Sequence, residues 1–379
     1  MTSHDNEVEL CALDGSNPLG FLAAVGTLVT VRAAGEGTAR LRWHRTFTWT
    51  PLLTGVSATD PTHLSDTVAG SLKGSPVPAD AEAIHLEAQR AFDVAKKQVM
   101  DKRNEIGRRG LRGRERAAMM EAEMRPLEQE LKHARSRWLK ALAHAVPRPE
   151  LALGRRIDSS SDEYRMHGHA LLTSASALER EPLDLLASFA SDACLNRDGM
   201  VEATPFCFVT GSGHQYFLET VRLLVDEVRP ERVQQTLFQP WTYLDERLSL
   251  RWDPLEDRRY ALMDRDPTDA ANKPRTMWMA NLLAYRALVL FPSAPRLGGL
   301  NTTAWSDSGG DRVFTWPIWE QPADPDTIRS LLELRELTGP NPDHSALRAR
   351  GVVSAFRARR IKVGEGPNVK INFSPARAL

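Results

Sequence analysis

The chain has 379 residues, 42% of them hydrophobic, so it is long enough to bury cores in two or three domains, and a globally disordered reading is excluded. Lys plus Arg and Asp plus Glu are equal at 49 each, yet the signs are separated along the chain. Residues 85–148 hold 16 basic against 9 acidic side chains and residues 346–379 hold eight against one, which leaves 25 basic against 39 acidic elsewhere: two cationic regions on an acidic body, a distribution suited to a polyanion such as nucleic acid.

The opening MTSHDNEVEL lacks the basic start and apolar core of a secretory leader. Cys11, Cys194 and Cys207 are far apart and form no CxxC pair, as expected of a reducing cytoplasm without a disulfide framework or zinc ribbon. Residues 7–12 are a short apolar run that ends at Asp14-Gly15, a turn signal. Asn17-Pro18 then supplies a helix cap with proline in the first turn, and residues 19–31 form a helix apolar on nearly every face. Residues 39–44 and 46–53, rich in Trp, Phe and Thr, read as two strands. This β-α-β-β start fits an α+β fold or a ferredoxin-like half.

Residues 54–79 form a looser connection to the basic region. Apolar or small residues at Ile84, Ala88, Ala91, Ala95 and Val99, then at Ala117, Met120, Met124, Leu127, Leu131, Ala134, Trp138 and Ala141, recur by threes and fours. That periodicity predicts an antiparallel helical hairpin over 85–148, with arms of roughly 35–40 Å and an interruption at Pro126. Its turn, 106–116, carries Gly107, Gly110 and Gly113 together with Arg108, Arg109, Arg112, Arg114 and Arg116. A glycine-rich tip bearing five guanidinium groups has the donors to grip phosphates or enter a groove; its alternatives are a solvated loop or a dock for an acidic protein.

Beyond Pro147, two histidines in Met166-His167-Gly168-His169 lie near Asp158, Asp162 and Glu163, a weak metal-binding pattern that favours ordinary polar surface. FCFVTGSGHQYF, 206–217, reads as a strand, a loop and a helix. Gly211, Ser212 and Gly213 make a candidate phosphate cradle, although P-loop and dinucleotide signatures are absent. Residues 241–263 read as two strands around the Asp253-Pro254 turn, and Arg251, Trp252, Arg258, Arg259 and Tyr260 crowd that turn. Residues 273–291 predict a helix; Asn281 and Arg286 within it make it a buried helix of a soluble domain and exclude a membrane span. An aromatic strand at 313–319, a helix at 325–337 and a terminal hairpin over 352–373 complete the order. In the hairpin Arg357, Arg359, Arg360 and Lys362 form a second basic contact surface, or a charged edge that resists aggregation.

The segments LDGSNPLGFLAAVGTL, LRWHRTFTWTPLL, TPFCFVTGSGHQYF, LRWDPLEDRRYALM, NLLAYRALVLFP and FTWPIW, in that order, resemble CRISPR-associated proteins of the type I-G subtype, formerly I-U. The resemblance is to the helicase-nuclease-extension or small large-subunit-like family and covers most of the chain outside 85–148. It implies a non-catalytic subunit that aids crRNA-guided binding of target DNA beside other effector subunits or a helicase-nuclease, with base pairing reading sequence. No catalytic residues carry over.

The expected protein is therefore an α+β, cytoplasmic, non-membrane molecule. It has a mixed-sheet core of residues 1–84 and 149–379 with packed helices, and a protruding helical-hairpin insertion over 85–148. Neither a metal nor a cofactor is expected, and no nucleophile motif is visible. The rival classes are a nucleotide- or metal-dependent phosphoryl-transfer enzyme and a protein-docking scaffold.

Overall fold

The computed structural model describes residues 7–110, 113–174, 180–209, 215–256, 275–297, 299–339, 342–363 and 369–379. The fold is α+β, in two compact units: residues 1–74 with 155–379, and residues 75–154. The second unit is wider than the expected insertion because it includes the turns at the base of the hairpin.

The larger unit starts as the sequence predicts. Strand β1 (Glu7–Glu9) leads through helix α1 (Pro18–Ala33) to β2 (Arg40–Arg45) and β3 (Trp49–Thr54). β3 lies between the other two and is antiparallel to both, so β1 and β2 run parallel with α1 as their crossover, a split β-α-β unit. The Asn17 side chain accepts from the backbone N–H groups of Leu19 and Gly20, so the cap orients α1. Every residue of α1 from Pro18 to Val31 is buried, because the helix is covered by sheet residues on one side and by helix α10 (Trp278–Ala287) on the other. Gly26 makes the second contact possible: a Cβ there would stand 1.7 Å from the Leu283 carbonyl oxygen.

The second sheet carries the core. Strand β9 (Asp311–Trp319) is flanked by β8 (Trp305–Ser308) and β10 (Val352–Val363); β10 also pairs with β11 (Lys370–Phe373) and β12 (Arg377–Ala378), all antiparallel. The inward rings of Phe21, Trp43, Phe206, Phe314, Trp316 and Trp319 stack or meet edge to face at 5.0–6.5 Å. The indoles of Trp316 and Trp319 donate to the carbonyls of Gly15 and Leu41 at 2.8 Å, tying the two sheets together. In α10, Asn281 and Arg286 are buried as expected, and Arg286 is neutralised by Glu181 at the start of helix α7 (Glu181–Phe189).

Among the described residues two stretches expected as strands form none, and the second strand expected over 241–263 falls largely on 257–263, outside the described residues. Residues 206–209 have no ladder partners, and residues 247–256 form an irregular buried segment after the short strand β4 (Asp245–Glu246). β4 pairs with β5 (Arg275–Thr276). Hydrophobic strand-like composition at both places is used to plug the aromatic core instead: Phe206 and Trp252 meet edge to face at 5.7 Å, and the Trp252 indole donates to the Phe206 carbonyl.

In the smaller unit, α3 (Ala81–Arg108) packs antiparallel on α5 (Arg125–Ala145), with α4 (Gly113–Met119) and a π-helical turn at Met120–Met124 between them. Proline 126 falls in the first turn of α5, where its missing N–H costs nothing, so the interruption it imposes is taken up by the π turn. On the second arm the expected Met124, Ala134 and Trp138 are buried and Met120, Leu127 and Leu131 are half-buried, whereas Ala117 is exposed and Leu142, rather than Ala141, is the buried residue of the last turns. Along α3 the expected Ala95 and Val99 are buried and Ala88 is half-buried, while Ile84 and Ala91 face solvent and Phe92 and Ile106 join the seam. Phe92 stands inward in place of Ala91, stacked on Trp138 at 4.9 Å with the rings 10° from parallel. The Ser75 N–H donates to the Pro147 carbonyl at the base. The described residues contain no helix long and apolar enough to cross a membrane.

Candidate nucleic-acid interface

At the hairpin tip the helix runs further than three glycines suggest. Gly107 lies inside α3, and the reversal is confined to the residues around Gly110 and Gly113, both left-handed at φ 66° and 57°. The tip arginines divide into two groups. Arg109 bonds both Glu105 and Glu123, the latter at 3.2 Å, and Lys102 reaches the same two carboxylates at 3.0 and 2.9 Å. This four-membered network holds both glutamates below the usual carboxylate range through Lys102 and Arg109, and it raises the Arg109 guanidinium in turn. Arg125 is likewise occupied by Glu121. Arg109 therefore clamps α3 to the π turn and is not offered outward.

Arg108, Arg114 and Arg116 are exposed, and among the described residues none of them makes an ion pair. Glu115 is the one exposed carboxylate of α4 beside them, so this turn keeps a cationic excess. Arg112 lies outside the described residues. Further back on α3, Arg90, Lys97 and Arg108 fall within about 20° of one another around the helix axis at 100° per residue, which extends the cationic stripe down the solvent face.

The C-terminal strand corrects the sequence reading. Arg357 is 3% exposed and cannot meet a polyanion. Its Nε donates to Thr315 Oγ1, directly across the ladder, and its Nη2 donates to the carbonyls of Leu337 and Gly339, which close helix α12 (Arg335–Thr338). Burial and the neighbouring Arg377 lower its pKa. Arg360 is half-buried over the Phe208 ring at 5.4 Å, with its pKa lowered by desolvation. Arg359 is exposed but pairs with Asp311 at 3.3 Å, leaving Lys362 as the uncommitted member of the four. The physical reason is the position of β10: flanked on both sides in its sheet and covered on both faces at residues 355–358, it puts alternate side chains into the core.

Gly211, Ser212 and Gly213, the phosphate-cradle candidate, lie outside the described residues, as do Arg258, Arg259 and Tyr260. His167 and His169 sit on helix α6 (Ser161–Ser174), and no group of three or more His, Cys, Asp or Glu among the described residues is placed to hold a metal ion.

Sequence reasoning missed a buried polar constellation that joins the two ends of the larger unit. Asn17, the cap of α1, donates through Nδ2 to Asp253 Oδ1 at 2.9 Å; Tyr243 donates to Asp253 Oδ2 at 2.7 Å; and the Leu255 N–H completes the set. Beside it the Ser249 and Thr276 hydroxyls donate to Glu256, while Asn281 holds Leu250 N–H and Thr276. Burial and the Asp253 charge push the Glu256 carboxyl up to about 8. These bonds restrain four non-glycine residues in the left-handed region, Tyr243, Arg247, Leu248 and Arg251, each a local strain of about 1–3 kcal/mol. The available signal was the pair of turn motifs, Asn17-Pro18 and Asp253-Pro254, whose side chains meet 236 residues apart in sequence.

Compared with protein-family models, curated proteins and solved structures, the chain has no match in any of the three.

Proposed function

We propose that this protein binds nucleic acid through the tip of its helical hairpin, as a non-catalytic subunit of a type I CRISPR antiviral complex that aids crRNA-guided binding of target DNA. The binding half of this reading is carried by one observation: Arg108, Arg114 and Arg116 surround a single chain reversal, exposed and without carboxylate partners among the described residues. Guanidinium forks match phosphate oxygens in charge and geometry, and a long two-helix arm holds them at the end of a stiff support. Lys362 and Arg359 are secondary contacts, and Arg357 has no part in binding. The subunit assignment rests on the sequence resemblance alone.

Fluorescence anisotropy with labelled duplex DNA, single-stranded DNA and RNA tests the binding half. Affinity is expected to fall steeply with salt, with a log–log slope of about −0.9 per phosphate neutralised on duplex DNA. The triple variant R108E/R114E/R116E is expected to bind well over tenfold more weakly and with a shallower slope. Unchanged affinity in that variant removes the tip from the interface. The subunit assignment has its own test: the protein recovered from its host should carry a nuclease-sensitive absorbance at 260 nm and an RNA of repeat-derived sequence.

A further inference from the structure

A cleft of about 740 Å³ opens in the larger unit between the hairpin of β6 (Ser293–Arg296) and β7 (Gly299–Thr302), the start of β8, and the ends of α11 (Pro325–Leu332) and α12. Its size is that of a site for a small organic ligand. Its lining is unlike an ordinary apolar crevice, since three guanidinium groups, Arg296, Arg312 and Arg335, border it. Arg296 and Arg335 are exposed at its edges and make no ion pair among the described residues. Arg312 is half-buried, anchored by a 3.2 Å bond to the Leu300 carbonyl and standing 3.8 Å from the exposed carboxylate of Asp307. The other lining carboxylate, Glu333, is occupied by the Thr303 hydroxyl.

Ala304, between β7 and β8, is held at φ 64°, a strained conformation for a non-glycine residue. Three guanidinium groups against two carboxylates, each of which already has a partner, therefore line one cleft.

We propose that this cleft is a binding site for a small phosphate-bearing molecule. A phosphate supplies several acceptor oxygens and up to two negative charges, which matches a lining of three guanidinium groups against two carboxylates. Arg312 is pre-positioned by its bond to the Leu300 carbonyl; Arg296, on a hairpin strand, and Arg335, on α12, supply further guanidinium groups from two different elements. The site is independent of the nucleic-acid reading, because every lining residue belongs to 296–338 and none is a tip arginine.

Calorimetric titration of the full-length protein with inorganic pyrophosphate and with a nucleoside 5′-monophosphate tests the site. Saturable binding is expected for at least one of them, weakened by tenfold or more in R296E/R335E. Both residues are exposed, so the variant should keep the wild-type melting transition in the absence of ligand. The tip variant R108E/R114E/R116E should bind these small ligands as the wild type does, which separates failure here from failure of the nucleic-acid interface. No saturable binding up to millimolar concentrations, equal affinity in R296E/R335E, or binding of citrate with no binding of either phosphate would overturn the proposal.

Discussion

The hairpin tip and the C-terminal strand carry the same sequence signature, several arginines within a dozen residues and few acids, and they come to opposite ends. At the tip, Arg114 and Arg116 stand in solvent on a helix with no buried residue. In β10, Arg357 is sealed in the core, where it saturates a hydroxyl and two carbonyls. A two-helix arm has a single seam, so most of its circumference is surface and most of its charges stay available. A strand flanked on both sides has no such freedom, and half or more of its side chains must find partners indoors. Local charge density is therefore a guide to a polyanion interface only after the element's neighbours are known.

Variants that sever each region from its support sharpen this contrast most. Trp138→Ala removes the ring on which Phe92 stacks and is expected to cost the arm about 3–5 kcal/mol. Hydrogen exchange of residues 81–145 should accelerate while the sheets of the larger unit stay protected. Equal acceleration in both units would mean that the arm does not unfold by itself.

Arg357→Ala comes next. It strands two buried carbonyls and a hydroxyl, and urea denaturation should show a loss of about 3 kcal/mol. A loss within experimental error would return Arg357 to the list of surface charges.

The buried Glu256 gives a pH signature opposite in sign to that of Glu105 and Glu123 in the arm. Its carboxyl is held protonated up to about 8 in the fold, against an ordinary value of 4.5. The native state thus binds one more proton than the unfolded chain between those values. Stability must fall as pH rises through that window, by at most about 1.4 kcal/mol per pH unit, and level off above it. Glu256→Gln should flatten the profile measured by urea midpoints from pH 5 to 9. A wild-type profile that is already flat would show that Glu256 stays ionised.

The smallest effect is the complement of the Arg357 result. Arg114→Ala and Arg116→Ala should each change stability by no more than about 0.5 kcal/mol, while on the proposed function each should weaken nucleic-acid binding. A larger change would mean that these side chains support the tip rather than serve it.

The two regions also show how far the chain could be read unaided. The Asn17-Pro18 cap, the buried α1, the flanking strands and the seam of α5 follow from spacing and residue type, since each depends on contacts within a few turns. In α3, Ala95 and Val99 followed from the spacing, but Ile84 and Ala91 did not, because Phe92 takes the inward place beside the Trp138 ring across the hairpin. Residues 206–209 and 247–256 have strand-like composition, yet they are packed as core plugs, with Phe206 and Trp252 edge to face. Arg109 and Arg114 are indistinguishable by composition; Glu105 and Glu123 claim the first and leave the second.

Sequence by itself determined the α+β character, the helical arm with its break at Pro126 and the separation of charge along the chain, because hydrophobic period and turn chemistry act over short distances. Tertiary structure alone decided which cations face water, that the Asn17 amide donates to the distant Asp253 carboxylate, and where an arginine-bordered cleft forms. Those outcomes depend on which distant carboxylates and carbonyls arrive beside each side chain, and no local pattern encodes that.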